Sequence, residues 1–394
     1  MNILYIVPYP PARTRGRTLH ILNWLASRHK VQLLFDQAQG ATELCEIPKS
    51  VYGHAQARPA VLWRLVHLTL HPTLIAKYPL RVLFMRNPRM VASLNYLLQS
   101  KTFDVVVVES MRAGQYVDIV RRHYGGVIVY DATDSFSLYM SRLLGQRPVG
   151  KLAHNVVQHL GLLNRWDERM SRHAERALTT MVDRVLFATS EDLKYSAELC
   201  GDSTKMTVVP NGIDLQYYFP RADVTKRTGR IVFHGRMSYQ PNVLAALTLI
   251  RLLGQLPQSF SLALVGENPD PALFEARDRT SYGARVEIIG QTPDIRDYIR
   301  SAEVEIVPIA LRVGMQNKVL EALACGTPVI TTPIVAQAFG DRIEGVSTFG
   351  GESELISMLC RGSWDPVTTE TSKQLEERFS WGTILKDEIL RRSD

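Results

Sequence analysis

Residues 303–332 read EVEIVPIALRVGMQNKVLEALACGTPVITT, and this stretch decides the fold that the sequence predicts. Two short β-branched runs, at 303–307 and 328–331, flank a longer apolar stretch that begins near Asn317 and has the length of a helix. Buried strands that alternate with helices are typical of a parallel sheet covered by helices on both faces. The stretch therefore predicts an α/β fold.

The same alternation extends along both halves of the chain. A loop is predicted from Pro8 through Arg17, followed by a helix at Thr18–Arg28. The other predicted strands are Ile3–Val7, Val31–Phe35, Val105–Val108, Val127–Tyr130, Arg184–Ala188, Ile231–His234, Leu262–Val265 and Val286–Ile289. Each half is thus expected to form its own doubly wound sheet.

The length of 394 residues predicts two domains, because single cores rarely grow that large. Turn formers and charges cluster at 208–229, which we interpret as the linker between an N-terminal domain at 1–207 and a C-terminal domain at 230–375. Ligands of open parallel sheets bind beyond the carboxyl ends of the strands. We therefore expect substrates in a cleft between the two halves.

The composition, with 45% hydrophobic and 22% charged residues, is that of a globular protein. No run of eighteen apolar residues occurs and the first residues do not resemble a secretory signal, so a cytoplasmic protein is expected. The net charge of +7 is concentrated in the first half, which favours an anionic partner or, equally, a basic surface kept for solubility. Nucleic acid is not the expected partner, because no RNA- or DNA-binding motif accompanies the charge.

The segment at 61–86 differs in kind from the rest of the first half. Its apolar residues alternate with basic ones, so it could lie on an anionic membrane surface as a peripheral contact. The alternative is a pair of ordinary core-facing helices with a solvated basic face. The sequence leaves both open.

Five motifs in the second half, taken in order, resemble those of family-4 glycosyltransferases. They are VVPNGID at 208–214, VFHGRM at 232–237, LALVGENP at 262–269, IIGQTPDIRDYIRSAEVEIVPI at 288–309 and KVLEALACGTPVITT at 318–332. The resemblance implies the GT-B architecture, with two Rossmann-like doubly wound domains facing across a cleft. It also implies a retaining, metal-independent transferase of the hexosyltransferase type, with a nucleotide-sugar substrate and no cofactor.

Two further features follow from the resemblance. The strings PIALRVGMQNKVLEALACGTPVI and HGRMSYQPN are similar to a bacterial subgroup associated with exopolysaccharide assembly. The final residues, FSWGTILKDEILRRSD, look like the closing helix of the family, at 376–394, which crosses back to the N-terminal domain.

The resemblance supplies candidates for the donor site, where a diphosphate leaving group needs cations and helix amino ends. Gly235 lets the backbone approach a phosphate and Arg236 can grip it. Lys318 stands in the predicted first turn of a helix, a position that disfavours a cation unless an anion binds there. Glu321 matches the acidic residue whose implied role is hydrogen bonding to ribose. The alternative for the last two is a surface Lys–Glu pair.

One position departs from the family pattern. The first acidic residue of the family, eight positions before Glu321, is Val313 here. Arg312, Gly314 and Gln316 are the candidates for replacement contacts to the donor sugar. The departure leaves the identity of the sugar open and permits a catalytically impaired homologue.

The remaining donor-site candidates come from several loops. Gly16 could present its amide to the donor phosphate and Arg17 could add positive charge, unless these residues belong to a merely basic loop. The motifs VVPNGID and LALVGENP add Asn211 and Glu267.

Three carboxylates are the candidate catalytic groups. Glu109 ends one predicted strand, and Asp131 and Asp134 follow the next, so they could bind the acceptor or remove its hydroxyl proton. Helix capping by Asp131 or Asp134 is the structural alternative. His234 ends a strand beside Gly235 and could contact the donor, although a lone histidine is more often packed in a core.

The sequence therefore predicts a glycosyltransferase that moves a sugar from a nucleotide-sugar donor to a lipid-linked or growing polysaccharide acceptor. Two alternatives remain open. One is a nucleotide-sugar epimerase or hydrolase, which would turn over the donor without an acceptor. The other is a degenerate homologue that binds nucleotide and serves as a scaffolding subunit.

Overall fold

The computed structural model describes residues 1–37, 47–57, 66, 72–144, 161–310 and 314–391. These residues form two compact units, each with its own parallel sheet. The first unit contains the described residues up to 144 together with 161–210 and 385–391, and the second contains 211–310 and 314–384. The two α/β domains expected from the sequence are thus present.

The described part of the first unit is built on a seven-stranded sheet in which every pairing is parallel. Its strands are β1 (Asn2–Val7), β2 (Lys30–Gln37), β3 (Tyr52–Ala57), β4 (Val105–Glu109), β5 (Val127–Thr133), β6 (Arg184–Phe187) and β7 (Met206–Val208). Its helices are α1 (Gly16–Arg28), α2 (Pro72–Ile75), α3 (Leu80–Leu83), α4 (Pro88–Ser100), α5 (Ser110–Gly114), α6 (Val117–His123), α7 (Phe136–Leu144), α8 (Gly161–Met181) and α9 (Ser190–Cys200).

The described part of the second unit has a six-stranded parallel sheet. Its strands are β8 (Arg227–His234), β9 (Ser261–Val265), β10 (Val286–Ile289), β11 (Ala302–Val307), β12 (Val329–Thr331) and β13 (Val346–Thr348). Its helices are α10 (Gln240–Leu253), α11 (Pro271–Asp278), α12 (Arg296–Ser301), α13 (Asn317–Ala324), α14 (Pro333–Ala336), α15 (Glu352–Arg361), α16 (Thr369–Phe379) and α17 (Trp381–Ile384).

Both sheets are buried on both faces, which explains why their central strands are continuous apolar runs. In β1 the residues from Ile3 to Val7 are completely buried, and in β4 Val106 and Val108 are as well. A parallel sheet covered by helices has no solvent-facing side, so alternation of polar and apolar residues is lost. The same physics makes these strands the easiest elements to predict.

Each sheet reverses its winding direction once. The strand order is β3-β2-β1-β4-β5-β6-β7 in the first unit and β10-β9-β8-β11-β12-β13 in the second. The reversal lies between β1 and β4 in one sheet and between β8 and β11 in the other. In open parallel sheets the crevice beyond the carboxyl ends of such strands is where ligands bind.

Two sequence predictions need correction. The predicted loop through Arg17 is wrong at its end, because α1 already begins at Gly16 and a 3-10 turn occupies Arg13–Arg15. The predicted closing helix at 376–394 is not continuous, since α16 ends at Phe379 and the later helical residues fall in α17 and a short turn at Asp387–Leu390. Described residues 385–391 belong to the first unit.

The basic segment at 61–86 lies partly outside the described residues. Within its described part, Leu74 of α2, Val82 of α3 and Tyr78 between the two helices are buried in the core of the first unit. Arg81 pairs with Asp167 at 3.2 Å. This part of the segment thus has the core-facing side that the ordinary alternative predicts. None of the described helices is both long enough and apolar enough to cross a membrane.

Candidate active site

Two glycines bring the loops after β8 and β9 into backbone contact. Gly235 has a φ of 132° and Gly266 a φ of 147°, both in the region that favours glycine. A Cβ placed on Gly266 would lie 1.8 Å from the backbone oxygen of Gly235. A Cβ on Gly235 would lie 3.1 Å from Nζ of Lys318. Because neither glycine carries a side chain, the backbone at Gly235 and Gly266 is uncovered next to the ammonium group of Lys318. We call this backbone surface the cradle.

Lys318 lies in the first turn of α13 and is buried, with 7% of its surface exposed. Its Nζ donates a hydrogen bond to Oδ1 of Asn242 at 2.8 Å and lies 4.1 Å from the centre of the Phe233 ring. Desolvation lowers the pKa of Lys318 to about 8, although Glu305 and Glu321 oppose that shift. Among the described carboxylates none forms an ion pair with this lysine. The alternative of a surface Lys–Glu pair is therefore wrong.

Glu321, one turn further along α13, is held by His234. Nε2 of His234 lies 2.7 Å from Oε2 of Glu321, and Nδ1 lies 2.8 Å from the carboxylate of Glu305 on β11. Burial by itself lowers the pKa of His234, but the two carboxylates outweigh it and raise the pKa to about 9. The sequence interpretation of His234 as a donor contact is corrected here, because both ring nitrogens are occupied by carboxylates.

Arg236 and Glu267 lie on the neighbouring loops and are more exposed. Their side chains approach to 3.9 Å between Nη2 and Oε2, and 52% of the Arg236 side chain is exposed. The backbone oxygen of Arg236 accepts a hydrogen bond from Nδ2 of Asn242 at 2.9 Å. Asn242 thus links the loop at Gly235 and Arg236 to Lys318. The sequence analysis did not identify Asn242 as a site residue. The only signal was an amide residue in the first turn of the helix after Gly235.

The segment that leads into α13 carries other predicted residues. Nδ2 of Asn211 donates to Oδ1 of Asn317 at 2.9 Å, which connects the start of the second unit to the amino end of α13. Gly314 has a φ of 56°, a left-handed backbone conformation that glycine adopts more easily than other residues. Arg312 and Val313 lie outside the described residues.

In the first unit, Arg17 and Asp131 form a buried ion pair. Nε and Nη2 of Arg17 each donate to the carboxylate of Asp131 at 2.8 Å, and Nη1 donates to the backbone oxygen of Val209 at 2.8 Å. Arg17 is 6% exposed and Asp131 is fully buried. The structure thus pairs the two groups with each other, and the roles of Arg17 at a donor phosphate and of Asp131 at an acceptor stay predictions.

Glu109 is also internally satisfied. The hydroxyl of Tyr5 donates to its Oε2 and Thr18 Oγ1 donates to its Oε1 at 2.6 Å. Burial and the neighbouring charge of Asp131 raise the pKa of Glu109 to about 7. Glu109 thus supports the end of the sheet, and its two hydroxyl partners leave it poorly placed to act on an acceptor.

Asp134 is the predicted catalytic carboxylate that retains an unused atom. Its Oδ1 is buried and makes no hydrogen bond with the described residues. Burial and the nearby Asp192 raise its pKa to about 7. It follows Thr133, whose φ of 63° is rare for a β-branched residue, and strained backbone of this kind clusters at functional sites. Asp134 therefore stays a predicted catalytic carboxylate, with one oxygen that has no hydrogen-bond partner among the described residues.

The loop after β1 completes this end of the first sheet. Gly16 is the first residue of α1. The backbone N–H groups in the first turn of a helix have no partner within the helix, so this position can offer an amide to a ligand. The guanidinium of Arg15 lies 4.9 Å from the centre of the Tyr9 ring and donates to the oxygen of Pro10. The arginines of this loop thus differ in role, with Arg15 packed on a ring and Arg17 paired internally.

The raised pKa of Glu109 predicts a specific dependence of stability on pH. A folded pKa of about 7, above the ordinary 4.5, means that the folded protein binds more protons than the unfolded chain between these values. The free energy of unfolding contributed by Glu109 therefore falls as pH rises from 4.5 to 7. We expect Glu109→Gln to remove this part of the decline in urea titrations at pH 5 and 7.5. An unchanged difference between the two pH values would contradict the assignment.

The sequence and fold can now be compared with known proteins. Residues 15–212 match a family model described as glycosyl transferase 4-like domain, and residues 228–353 match one described as glycosyl transferases group 1. The chain belongs to the glycosyl transferase 4-like family. The glycosyltransferase activity predicted from the five motifs is thereby confirmed.

Solved structures of glycosyltransferases share the fold, although no curated protein matches the chain in sequence. Sucrose-phosphate synthase from Thermosynechococcus elongatus superposes with a TM-score of 0.71 at 16% identity, over 98% of this chain and 96% of that one. HepE from Anabaena, solved with UDP-glucose, gives 0.67 at 16% identity over 99% and 98%. WaaG, a glycosyltransferase involved in lipopolysaccharide biosynthesis, gives 0.59 at 16% identity over 98% and 96%. The glycosyltransferase has the GT-B two-domain fold that the sequence predicted.

Proposed function

We propose that this glycosyltransferase is a retaining, metal-independent enzyme that moves a sugar from a nucleoside diphosphate sugar to a lipid-linked or growing polysaccharide acceptor. The site for the donor is assigned to the second unit, at the reversal between β8 and β11. The biological setting proposed is bacterial exopolysaccharide or glycan assembly, on the cytoplasmic side of a membrane. The resemblance of PIALRVGMQNKVLEALACGTPVI to that subgroup supports this setting.

The single observation that carries the donor site is the environment of Lys318. A buried ammonium normally has a carboxylate partner, because an unpaired charge in a protein interior is unfavourable. Lys318 has an amide oxygen instead, at 2.8 Å, and it faces the cradle at Gly235. It also lies at the amino end of α13, where the helix dipole favours an anion. A diphosphate would supply the missing negative charge.

The remaining groups divide between donor and acceptor. Glu321 is assigned to the ribose hydroxyls and Arg236, whose side chain is 52% exposed, to the diphosphate. Acceptor binding is assigned to the first unit, with Asp134 as the group that takes the proton of the acceptor hydroxyl. In the transfer, the bond from the anomeric carbon to the diphosphate breaks and the bond to the acceptor oxygen forms on the same face of the sugar.

Replacing Lys318 by methionine is expected to separate binding from folding. The variant removes a buried charge whose pKa is already lowered, so the free protein should be as stable as the unmodified one or more so. Nucleoside diphosphate affinity should fall by about 10- to 100-fold, as expected for a lost charge-assisted contact. Calorimetric titration with UDP and GDP, beside thermal unfolding of the free protein, measures both quantities.

Lys226→Met is the matched control. Desolvation also lowers the pKa of Lys226, but this residue is exposed and its Nζ donates to the oxygen of Ala302 at 3.0 Å and to Thr327. This variant should lose stability and keep its nucleotide affinity. Equal effects of the two substitutions on nucleotide binding would contradict a diphosphate site at Lys318.

The transfer itself is tested with UDP-glucose first, because HepE of the same fold was solved with that donor. We expect glucose transfer to vesicles that contain a polyprenyl phosphate, in the presence of EDTA, with the anomeric configuration retained by proton NMR. Donor turnover without any acceptor would indicate an epimerase or hydrolase. Nucleotide binding without turnover, for any sugar tried, would indicate a scaffolding homologue.

Contact with an anionic membrane is the remaining part of the proposal. The basic first half of the chain predicts that the protein sediments with vesicles of anionic lipid at low salt and is released at high salt. Vesicles of neutral lipid are the control. Failure to sediment with anionic vesicles at low salt would remove the membrane from the proposal.

A further inference from the structure

Glu305 is an unusual residue for its position. It lies in β11, a central strand of the second sheet, and none of its surface is exposed. Its neighbours Val304 and Ile306 are apolar and equally buried, so nothing in the strand itself compensates a carboxylate. Burial of an unpaired charge is strongly unfavourable, and a carboxylate retained here needs a partner of opposite charge.

The partner is His234 at the end of β8. Glu305 is in register with Val232, two residues before His234, so the two side chains point to the same face of the sheet. Nδ1 of His234 lies 2.8 Å and 3.0 Å from the two carboxylate oxygens of Glu305. Strands that meet at the winding reversal thus contribute one residue each.

The other ring nitrogen of His234 faces Glu321, the residue proposed to bind the ribose of the donor. Nε2 lies 2.7 Å from Oε2 of Glu321. A neutral imidazole has one N–H and can donate to only one of two carboxylates, so two ionised carboxylates at these distances require the doubly protonated ring. Burial and the nearby carboxylate of Glu321 raise the pKa of Tyr218. The contact from His234 involves one carboxylate oxygen of Glu321, so lone pairs are left over for a ligand.

We propose that Glu305 and His234 are positioning residues for nucleotide recognition: the buried carboxylate of Glu305 holds the ring of His234 in place, and the ring orients the carboxylate of Glu321 toward the ribose of the donor. This inference rests on the proposed nucleotide-sugar function and deepens it. The two residues do not touch the substrate; they act through Glu321.

The charges around the ring support an imidazolium at neutral pH. The titratable groups that act on it are Glu305 from β11 and Glu321 from α13. Those carboxylates in turn act on Lys318, Cys325 and Tyr218. The two carboxylates raise the pKa of His234 to about 9 against the effect of burial. Loss of the Glu305 charge would let that pKa fall, so the ring would lose its second proton within the neutral range.

Glu305→Gln tests this chain of contacts from Glu305 through His234 to Glu321, which we call the relay. Glutamine keeps the shape of the Glu305 side chain and removes its charge. UDP and GDP binding is titrated by calorimetry between pH 6 and 8.5. We expect the affinity of the unmodified protein to be nearly constant over this range. The affinity of the variant should be roughly tenfold weaker at pH 8, as for one lost charge-assisted hydrogen bond, and should recover toward pH 6 as His234 is protonated.

Two further variants complete the test. His234→Gln keeps a hydrogen-bond donor without a titratable charge, so it should be weaker at every pH with no recovery at pH 6. Glu287→Gln is the control, since Glu287 belongs to the same sheet but pairs with Arg230 at 2.9 Å, and its nucleotide affinity should be unchanged. Thermal unfolding of each variant verifies folding.

A measurement on the unmodified protein keeps the inference testable if a variant fails to fold. The nitrogen-15 shifts of the His234 ring, assigned by their loss in His234→Gln or by elimination among the ten histidines, should be those of an imidazolium at pH 8. A neutral ring at pH 8 overturns the relay, as does Glu305→Gln binding that matches the unmodified protein at every pH or is weaker without titrating. Failure of the unmodified protein to bind any nucleotide overturns the proposed function itself.

Discussion

Replacing Asp131 by alanine is expected to lower the free energy of unfolding by about 3–5 kcal/mol, the range measured when one member of a buried ion pair is removed. The substitution leaves the guanidinium of Arg17 in the interior, with 6% of its surface exposed. Its hydrogen bonds from Nε and Nη2 to the carboxylate, both 2.8 Å, are lost, and Nη1 keeps the backbone oxygens of Val209 at 2.8 Å and Pro210 at 3.3 Å. Urea denaturation at pH 7 measures the change.

Two comparisons separate this effect from a general loss of side-chain contacts. Asp223→Ala removes the partner of Arg221 from an exposed ion pair and should change the free energy of unfolding by less than about 1 kcal/mol. The double variant Arg17→Met with Asp131→Leu replaces both charges and should be more stable than Asp131→Ala alone. A loss below about 1 kcal/mol for Asp131→Ala would show that the pair is not buried as described.

Gly266→Ala is expected to be the most damaging glycine substitution in the second unit. Its φ of 147° is open essentially to glycine alone, and the new Cβ would lie 1.8 Å from the oxygen of Gly235. Both backbones must move, so we expect a loss of at least about 3 kcal/mol in the free energy of unfolding, or failure to fold. A variant that folds should have lost nucleotide binding, because the cradle beside Lys318 is displaced.

Gly201→Ala is the control for backbone conformation alone. Gly201 also has a positive φ, 76°, but a Cβ there would meet no atom within 4 Å. Its substitution should cost about 1 kcal/mol, the usual penalty for a left-handed residue with a side chain. If Gly266→Ala and Gly201→Ala were equally stable, close approach of the two loops would be refuted.

The strands of both sheets were predictable because burial on two faces leaves an unmistakable pattern. All ten predicted strands are present, some extended at one end. The strands that sequence reasoning missed, β3, β7 and β13, lie away from the sheet centres. The sequence of β3, YGHAQA, is mostly exposed and has neither a continuous apolar run nor strong β-formers. An exposed edge strand such as β3 is stabilised mainly by backbone hydrogen bonds to its neighbour, and these leave no pattern in the side chains.

Local sequence predicted the placement of Lys318 in the second unit but not the pairing of side chains in the first. The position of Lys318 at a helix amino end could be inferred from local sequence, because the dipole argument involves only one helix. The pairing of Arg17 with Asp131 could not, since 114 positions separate residues that each look like functional candidates. The sequence predicts that residues following the carboxyl ends of neighbouring strands lie close together. It does not predict whether those residues bind each other or a substrate.

Glu305 illustrates a signal that was present and not used. One acidic residue inside the apolar run EVEIV could have been recognised as a buried charge in need of a partner. His234, which ends a neighbouring strand, was the available cation. Their distance depends on the adjacency of β8 and β11, and that adjacency follows from the winding reversal rather than from chain order.

The measurement that tests the central claim most directly is thermal unfolding of the protein against a panel of nucleotide sugars, with Glu321→Ala beside it. A ligand that binds only the folded state raises the unfolding temperature without requiring the acceptor. The account predicts stabilisation by at least one donor and its loss in the variant. No stabilisation by any donor, or equal stabilisation of Glu321→Ala, would contradict a nucleotide-sugar site at the reversal between β8 and β11.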